Sequence, residues 1–366
     1  MATIEAPVYD ADEFVRLSAS HPVVDVRTPA EFRAGHIPGA VNLPLFSNDE
    51  RELIGVTYAE EGRIKATRVG LDLIGPRMNQ MLDDLRDLVT GGSVLVHCWR
   101  GGMRSESVAW LLNFSGEYEA ATLNGGYKAF RRFTLGQLAE PRDLVIIGGL
   151  TGSGKTEVLA GLRDLGEQVV DLEDLAKHKG SAFGAIGLPD QPTQQQFEND
   201  LAVALSRTDP TRRLWLEDES RRIGRCMLPG ELWTAMRSAP CLVLERPAAV
   251  RRAHLIADYG RADPNALTDA IWRIERRLGT ESARLAAESV KSGDLETACR
   301  VLLEYYDKTY AHGLSQRNPS TVHRFGIEAE SPGDLPRELA AFADTIAAGG
   351  DEGGPAKISE WGQSTG

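Results

Sequence analysis

The chain has 366 residues, 42% of them hydrophobic and 26% charged, the balance of a soluble protein with two cores rather than one. A formal charge of −12 excludes a non-specific polyanion binder, and no apolar run approaches the roughly 20 residues that span a bilayer. The acidic N-terminus MATIEAPVYDADEF lacks a secretory leader pattern, so a cytoplasmic location with no membrane partner is expected. Cys98, Cys226, Cys241 and Cys299 form no C-x-x-C pair and no zinc spacing, which argues against a disulfide framework or a cysteine metal site.

Residues 8–18 predict a short amphipathic helix with Asp10 or Asp12 as its N-cap. Val23-Val24-Asp25-Val26-Arg27 predicts a buried strand, and Thr28-Pro29-Ala30-Glu31 a helix start with Thr28 at N-cap and Glu31 at N3. A turn-rich loop, Gly35 to Pro44, returns to a strand, and Met78, Met81, Leu82 and Leu85 predict a helix over 76–89. Val94 to Val96 reads as a buried strand entering the loop Cys98-Trp99-Arg100-Gly101-Gly102-Met103-Arg104, with a helix beginning near Arg104-Ser105. Gly101 and Gly102 let this loop curl so that backbone N–H groups ring the sulfur, and the helix N-terminus adds positive potential. A thiol there is expected to be acidified beside a pocket for an oxyanion, with Arg104 and Arg100 as charge partners. Strands alternating with helices predict a parallel α/β domain over 1–138.

Three stretches here, DVRTPAEFRAGHIPGAVNLP, the HC-x5-R loop and LNGGYKAF, resemble in order the rhodanese family, which moves sulfur through a cysteine persulfide. The loop is one residue longer than the usual rhodanese loop, and HC-x5-R is also the spacing of protein phosphatases. A phosphatase would need an acid to protonate its leaving group, and Glu106 is the nearby candidate.

A second domain is expected over 139–348, P-loop NTPase-like with a helical C-terminal part. Leu144-Val145-Ile146-Ile147 is a buried strand leading into Gly149-Leu150-Thr151-Gly152-Ser153-Gly154-Lys155-Thr156, the G-x4-G-K-[ST] pattern in its proper context. Gly149, Gly152, Ser153, Gly154, Lys155 and Thr156 are the predicted diphosphate cradle. A strand over 168–172 ends in Asp171 and Glu173, and another over 213–219 ends in Glu217, Asp218 and Glu219. These acids stand where a P-loop protein holds its metal or base, and Mg²⁺ held by Thr156 and Asp218 is one reading; no metal site is otherwise predicted. Helices are expected over 265–278 and 294–311. Residues 207–284 carry 15 arginines against 11 acids. Arg221, Arg222, Arg251, Arg252, Arg273, Arg276 and Arg277 are candidate RNA contacts, although such arginines also suit a solvated helix face. Residues 349–366 have the composition of a disordered tail.

HCWRGGMRS, GGLTGSGKT, DLEDLAKHKGSAFG, QPTQQQFEN and LWLEDESRRIG together resemble the tRNA 2-selenouridine synthase family over residues 8 to about 345. The resemblance implies action on wobble 2-thiouridine in tRNAs of the Lys, Glu and Gln type. It implies selenophosphate and geranyl diphosphate as substrates, no prosthetic group, and selenophosphate synthetase as a potential partner. The alternative is a rhodanese-type sulfurtransferase or phosphatase fused to a P-loop kinase.

Overall fold

A computed structural model describes residues 5–89, 92–327 and 334–347; the expected tail 349–366 lies outside the described residues. The chain divides into two compact units, Met1–Glu140 with Thr193–Ser206, and Pro141–Pro192 with Arg207–Gly366. Residues 193–206, which the sequence places within the second domain, therefore belong to the first. This corrects the continuous 1–138 and 139–348 division.

The first unit is built on a parallel five-stranded sheet: β1 (Val8–Tyr9), β2 (Val23–Asp25), β3 (Val41–Asn42), β4 (Gly92–His97) and β5 (Tyr118–Leu123), in the order β1-β5-β4-β2-β3. Alternation along the strands sends Val23, Leu95, Ala121 and Leu123 to one face, where they pack with Phe14, Tyr127 and Phe130. Val24, Val94, Val96 and Ala120 go to the other face, with Leu85, Val108 and Leu112. Burial on both faces is why β4 reads as a plain apolar run. The expected helix over 8–18 is instead strand Val8–Tyr9 followed by helix Ala11–Leu17, because Asp10 caps the Glu13 N–H at 2.9 Å and begins the helix there. The capping box at Thr28 and Glu31 forms as expected.

Helix Asn48–Ile74 has no counterpart in the sequence reading. It starts at a Ser47–Glu50 capping box and is interrupted at Gly62 (φ 84°). Its apolar residues, among them the exposed Leu53, Val56, Tyr58, Ile64 and Leu71, do not gather on one stripe, so the helical period is invisible.

The second unit has its own parallel sheet: β6 (Leu144–Gly149), β7 (Gln168–Val169), β8 (Leu214–Glu217), β11 (Cys241–Glu245) and β12 (Val322–Gly326), ordered β12-β11-β6-β8-β7; β9 (Arg222–Ile223) and β10 (Cys226–Met227) form an antiparallel pair. β6 lies between β8 and β11, so the strand order switches direction at its C-terminal end, where open α/β sheets hold ligands. A helical layer, including Pro264–Arg273, Thr280–Ser292 and Leu295–Ser315, closes on Leu267, Ile271, Ala283, Ala287 and Val301. The expected helix over 265–278 breaks at Ile274 (φ −106°, ψ 4°) and resumes as Glu275–Leu278. The expected strand over 168–172 stops at Val169, because Asp171 turns outward to cap helix Leu172–Ala176.

Candidate active sites

In the first unit Cys98 follows directly on β4 and is 3% exposed. Gly101 sits at φ 64°, and a Cβ there would stand 2.4 Å from the Leu123 carbonyl oxygen, so only glycine allows the loop to close against the turn at 123–126. The Ser105 hydroxyl lies 3.3 Å from the Cys98 sulfur and 3.1 Å from the Gly102 carbonyl; the sulfur itself is 3.8 Å from that carbonyl. Burial pushes the thiol up. The Ser105 hydroxyl and the backbone groups of Gly102, Arg100 and Ser105 outweigh it, leaving Cys98 below its ordinary value. A thiol can donate to the Gly102 carbonyl, whereas a thiolate takes the Ser105 proton instead.

Arg104 is paired with Glu31 at 3.0 Å, so the capping carboxylate of the earlier helix restrains this expected anion partner. The Arg100 side chain is exposed, as are Trp99 and Met103. Glu106 is exposed on the following helix. Beneath the loop lies a cluster the sequence reading did not single out. Asp25, Arg27 and His97 are fully buried, with Arg27 Nη2 2.6 Å from Asp25 Oδ2 and His97 Nε2 3.6 Å from the same oxygen. Burial, ahead of the opposing pull of Asp25, holds His97 below its ordinary value and so neutral at pH 7. In sequence, Asp25 and Arg27 belong to an expected buried strand, but nothing local shows that they pair with each other and with His97, some 70 residues on.

In the second unit the loop after β6 carries Gly149, Gly152, Ser153 and Gly154 into helix Lys155–Asp164. Gly152 lies at φ 80°, and a Cβ there would stand 2.7 Å from the Arg251 carbonyl oxygen. The Ser153 hydroxyl is 1% exposed and has no hydrogen-bond partner, a donor that fits a phosphate oxygen. Lys155 is half-buried and Thr156 exposed at the helix start.

Three supports of this loop went unrecognised in the sequence. Tyr310 accepts the Gly149 N–H at 2.8 Å and donates to Asp218 at 3.1 Å. Arg251 donates to the Thr151 carbonyl at 3.1 Å and to both carboxylate oxygens of Asp307 at 2.9 and 2.7 Å. Arg246, at the end of β11, packs its guanidinium 3.3 Å from where a Gly154 Cβ would be, and its Nε has no partner. Tyr310 and Arg251 lie on helices where such residues read as core or solvent, and Arg246 stands in the short turn after β11, so none of the three carries a local signal.

The acids separate by environment. Asp218 accepts from Arg317 at 2.5 Å and from Tyr310 at 3.1 Å. Among the described residues no group of three or more His, Cys, Asp or Glu is placed to hold a metal. Asp171 caps its helix through the Asp174 N–H at 2.7 Å. Glu217 accepts the Glu173 N–H at 2.7 Å, and burial, then the Asp171 charge, pushes its carboxyl well above the ordinary carboxylate range. Glu219 is pushed well up by burial and then by Glu173, against the pull of Lys155.

A cavity of about 1450 Å³ is lined by residues 149 and 151–157, by Asp171, Glu173, Asp218 and Glu219, and by Arg221, Arg222, Arg273 and Arg277. Its wall also includes Phe183, Tyr259, Leu267, Ile274, Leu295, Leu302 and Tyr306, so one space joins a phosphate cradle to an apolar surface. Of the expected RNA contacts, Arg251 is 3% exposed and belongs to the loop support, a correction. Arg252 is drawn to Glu296, and Arg222 to the Gly224 carbonyl at 2.8 Å. Arg273 donates to the Ala182 carbonyl at 3.0 Å, while Arg221, Arg276 and Arg277 are exposed.

A cysteine loop on a five-stranded parallel sheet and a P-loop on a second one define a rhodanese-like domain combined with a P-loop nucleotide-binding-type domain. The family models agree: a rhodanese-like domain matches residues 10–133, and the tRNA 2-selenouridine synthase AAA domain matches 142–329. The chain is 39% identical to the tRNA 2-selenouridine synthase of Nitrosomonas eutropha, covering 84% of this chain and 78% of the relative. It is 38% identical to that of Cupriavidus pinatubonensis (86% and 95%) and 34% identical to that of Shewanella loihica (85% and 92%). The chain belongs to the tRNA 2-selenouridine synthase family. Among the described residues no helix is long and apolar enough to cross a membrane.

Proposed function

We propose that this protein is an enzyme that replaces the sulfur of wobble 2-thiouridine in tRNA with selenium from selenophosphate, through an S-geranyl intermediate made from geranyl diphosphate. The observation that carries the geranyl step is the cavity of the second unit, where the P-loop and a wall of leucine, isoleucine, phenylalanine and tyrosine side chains share one space. A nucleotide needs no such wall, whereas a prenyl diphosphate needs both halves.

The chemistry follows from the two sites. The thiocarbonyl sulfur attacks C1 of geranyl diphosphate, a C–S bond forms, the C–O bond breaks and diphosphate leaves. Lys155, the Ser153 hydroxyl and the loop N–H groups stabilise the departing anion, with Arg246 beside the helix start as a further cation. Alkylation converts a poor leaving group into a thiol. The nucleophilic selenium of selenophosphate then adds at C2 of the base, and the C–S bond breaks to expel geranyl thiol; water attacks phosphorus and cleaves the P–Se bond, so phosphate leaves and the selenocarbonyl remains. The Cys98 loop suits the selenophosphate half-reaction, since it presents backbone groups, Ser105 and an acidified thiol around a site for an oxyanion. The exposed arginines Arg221, Arg276 and Arg277 serve the tRNA backbone, and a cytoplasmic enzyme fed by selenophosphate synthetase fits this chemistry.

The test is incubation of the full chain with 2-thiouridine tRNA and geranyl diphosphate, then selenophosphate, followed by mass spectrometry of the digested nucleosides. S-geranyl-2-thiouridine in the first stage and 2-selenouridine in the second are expected. ATP turnover without tRNA and no modified nucleoside would refute the reading.

A further inference from the structure

The helix Gln194–Ser206 carries the QQQFEN stretch, and its polar side chains converge on one phenol of the first unit. Tyr127 is fully buried, and its oxygen accepts from Gln195 Nε2 at 2.7 Å and from Asn199 Nδ2 at 2.8 Å. Asn199 is itself fixed, donating to the His36 carbonyl at 2.9 Å and accepting from Arg131 at 2.6 Å. There is little slack around this end of the ring, since a Cβ on Gly35 would stand 2.9 Å from the Tyr127 oxygen and 3.0 Å from Gln195.

The rest of Tyr127 faces the cysteine loop. Its backbone N–H donates to the Cys98 carbonyl at 2.8 Å, and its ring lies 5.7 Å from the Trp99 ring and 6.1 Å from that of His97. The Arg27 guanidinium sits 3.7 Å from the ring centroid, and its buried Nη1 has no hydrogen-bond partner. The ring face and Asp25 therefore hold Arg27 in place. We infer that Gln195 and Asn199 are positioning residues for the Cys98 loop, acting through Tyr127 on the backbone of Cys98 and on Arg27. A stretch whose sequence lies among the P-loop elements thereby sets the geometry of the cysteine site.

This inference rests on Cys98 being the reacting group of the first unit, as proposed above, and the experiment separates the two. Full-length Gln195→Leu, Tyr127→Phe, their double variant and Cys98→Ala are compared. The readouts are geranyl transfer, conversion of S-geranyl tRNA by selenophosphate, and a pH titration of thiolate absorbance with Cys98→Ala as the blank. Gln195 is only half-buried, so its variant remains informative if Tyr127→Phe fails to fold.

The expected result is unchanged geranyl transfer with selenium incorporation slowed on the order of tenfold in each single variant. The Cys98 titration should move to higher pH, and the double variant should be no worse than Tyr127→Phe alone. Wild-type selenium incorporation and an unmoved titration in Gln195→Leu would overturn the positioning role. Selenium incorporation persisting in Cys98→Ala would instead overturn the role of Cys98, while the titration still decides whether the helix sets the loop.

Discussion

The Ser105 hydroxyl lies 3.3 Å from the sulfur of Cys98 and 3.1 Å from the carbonyl of Gly102, so a single proton has two acceptors, and the charge on sulfur decides between them. Ser105→Ala removes the strongest of the groups that bring the thiol down, and its titration should move to higher pH. Because a lowered thiol gains thiolate earlier as pH rises, the loss of selenium incorporation should be largest on the acid side. At alkaline pH, where both proteins are thiolates, it should shrink. A pH–rate profile of the second half-reaction checks this, and a loss independent of pH would contradict it.

On the proposed geranyl step, Lys155→Ala should slow geranyl transfer on the order of 10²-fold, because in that scheme the cation acts on charge that develops as diphosphate departs. Arg246→Ala should slow it less, on the order of tenfold, since Arg246 stands beside the helix start rather than on it. Pre-geranylated tRNA should still be converted by both variants. Nucleoside mass spectrometry on each half-reaction reads the distinction.

Arg251→Ala should destabilise the second unit by about 1–3 kcal/mol, the cost of removing a buried guanidinium and its bonds to Thr151 and to Asp307, whose side chain keeps partial contact with solvent. It should leave the salt dependence of tRNA binding alone. Arg276→Ala and Arg277→Ala should do the reverse, with little change in urea midpoint and a salt slope reduced by about 1 each. Equal effects from all three would show that exposure and burial do not divide these arginines.

Glu217 offers a stability test. Burial holds its carboxyl well above its ordinary 4.5 in the fold, so above about that pH the unfolded chain binds fewer protons than the native one. That term lowers stability as pH rises from 4.5 toward the folded value. Glu217→Gln should flatten this part of the stability–pH curve and raise stability at neutral pH; urea titrations across the range measure it, and an unchanged slope would refute the burial account.

Much of the fold was legible because its strands are apolar and its turns are marked by local chemistry. Val94 to Val96 before Cys98, Leu144 to Ile147 before the P-loop, and the Thr28–Glu31 capping box each declare themselves within a few residues. What stayed hidden depends on distance in sequence. Nothing near Tyr310 says that its hydroxyl accepts the Gly149 N–H, and nothing near Arg251 says that it supports the Thr151 carbonyl. Nothing near Asp218 says that its carboxylate is held by Tyr310 and Arg317, more than 90 residues later. Helix Asn48–Ile74 escaped for a different reason, since its exposed apolar residues are scattered around the axis.

The helix Gln194–Ser206 also bears on how this protein is made. A ribosome must deliver β6, the P-loop and β7 before that helix emerges, so the first unit gains its last element only when part of the second is already outside. Until then the Tyr127 phenol lacks both amide donors, and the core around Phe130 lacks Val203. A gene fragment ending at residue 140 would encode the whole cysteine loop yet not the whole unit around it. The two halves of this enzyme are thus not interchangeable cassettes: grafting either one elsewhere requires cutting the other.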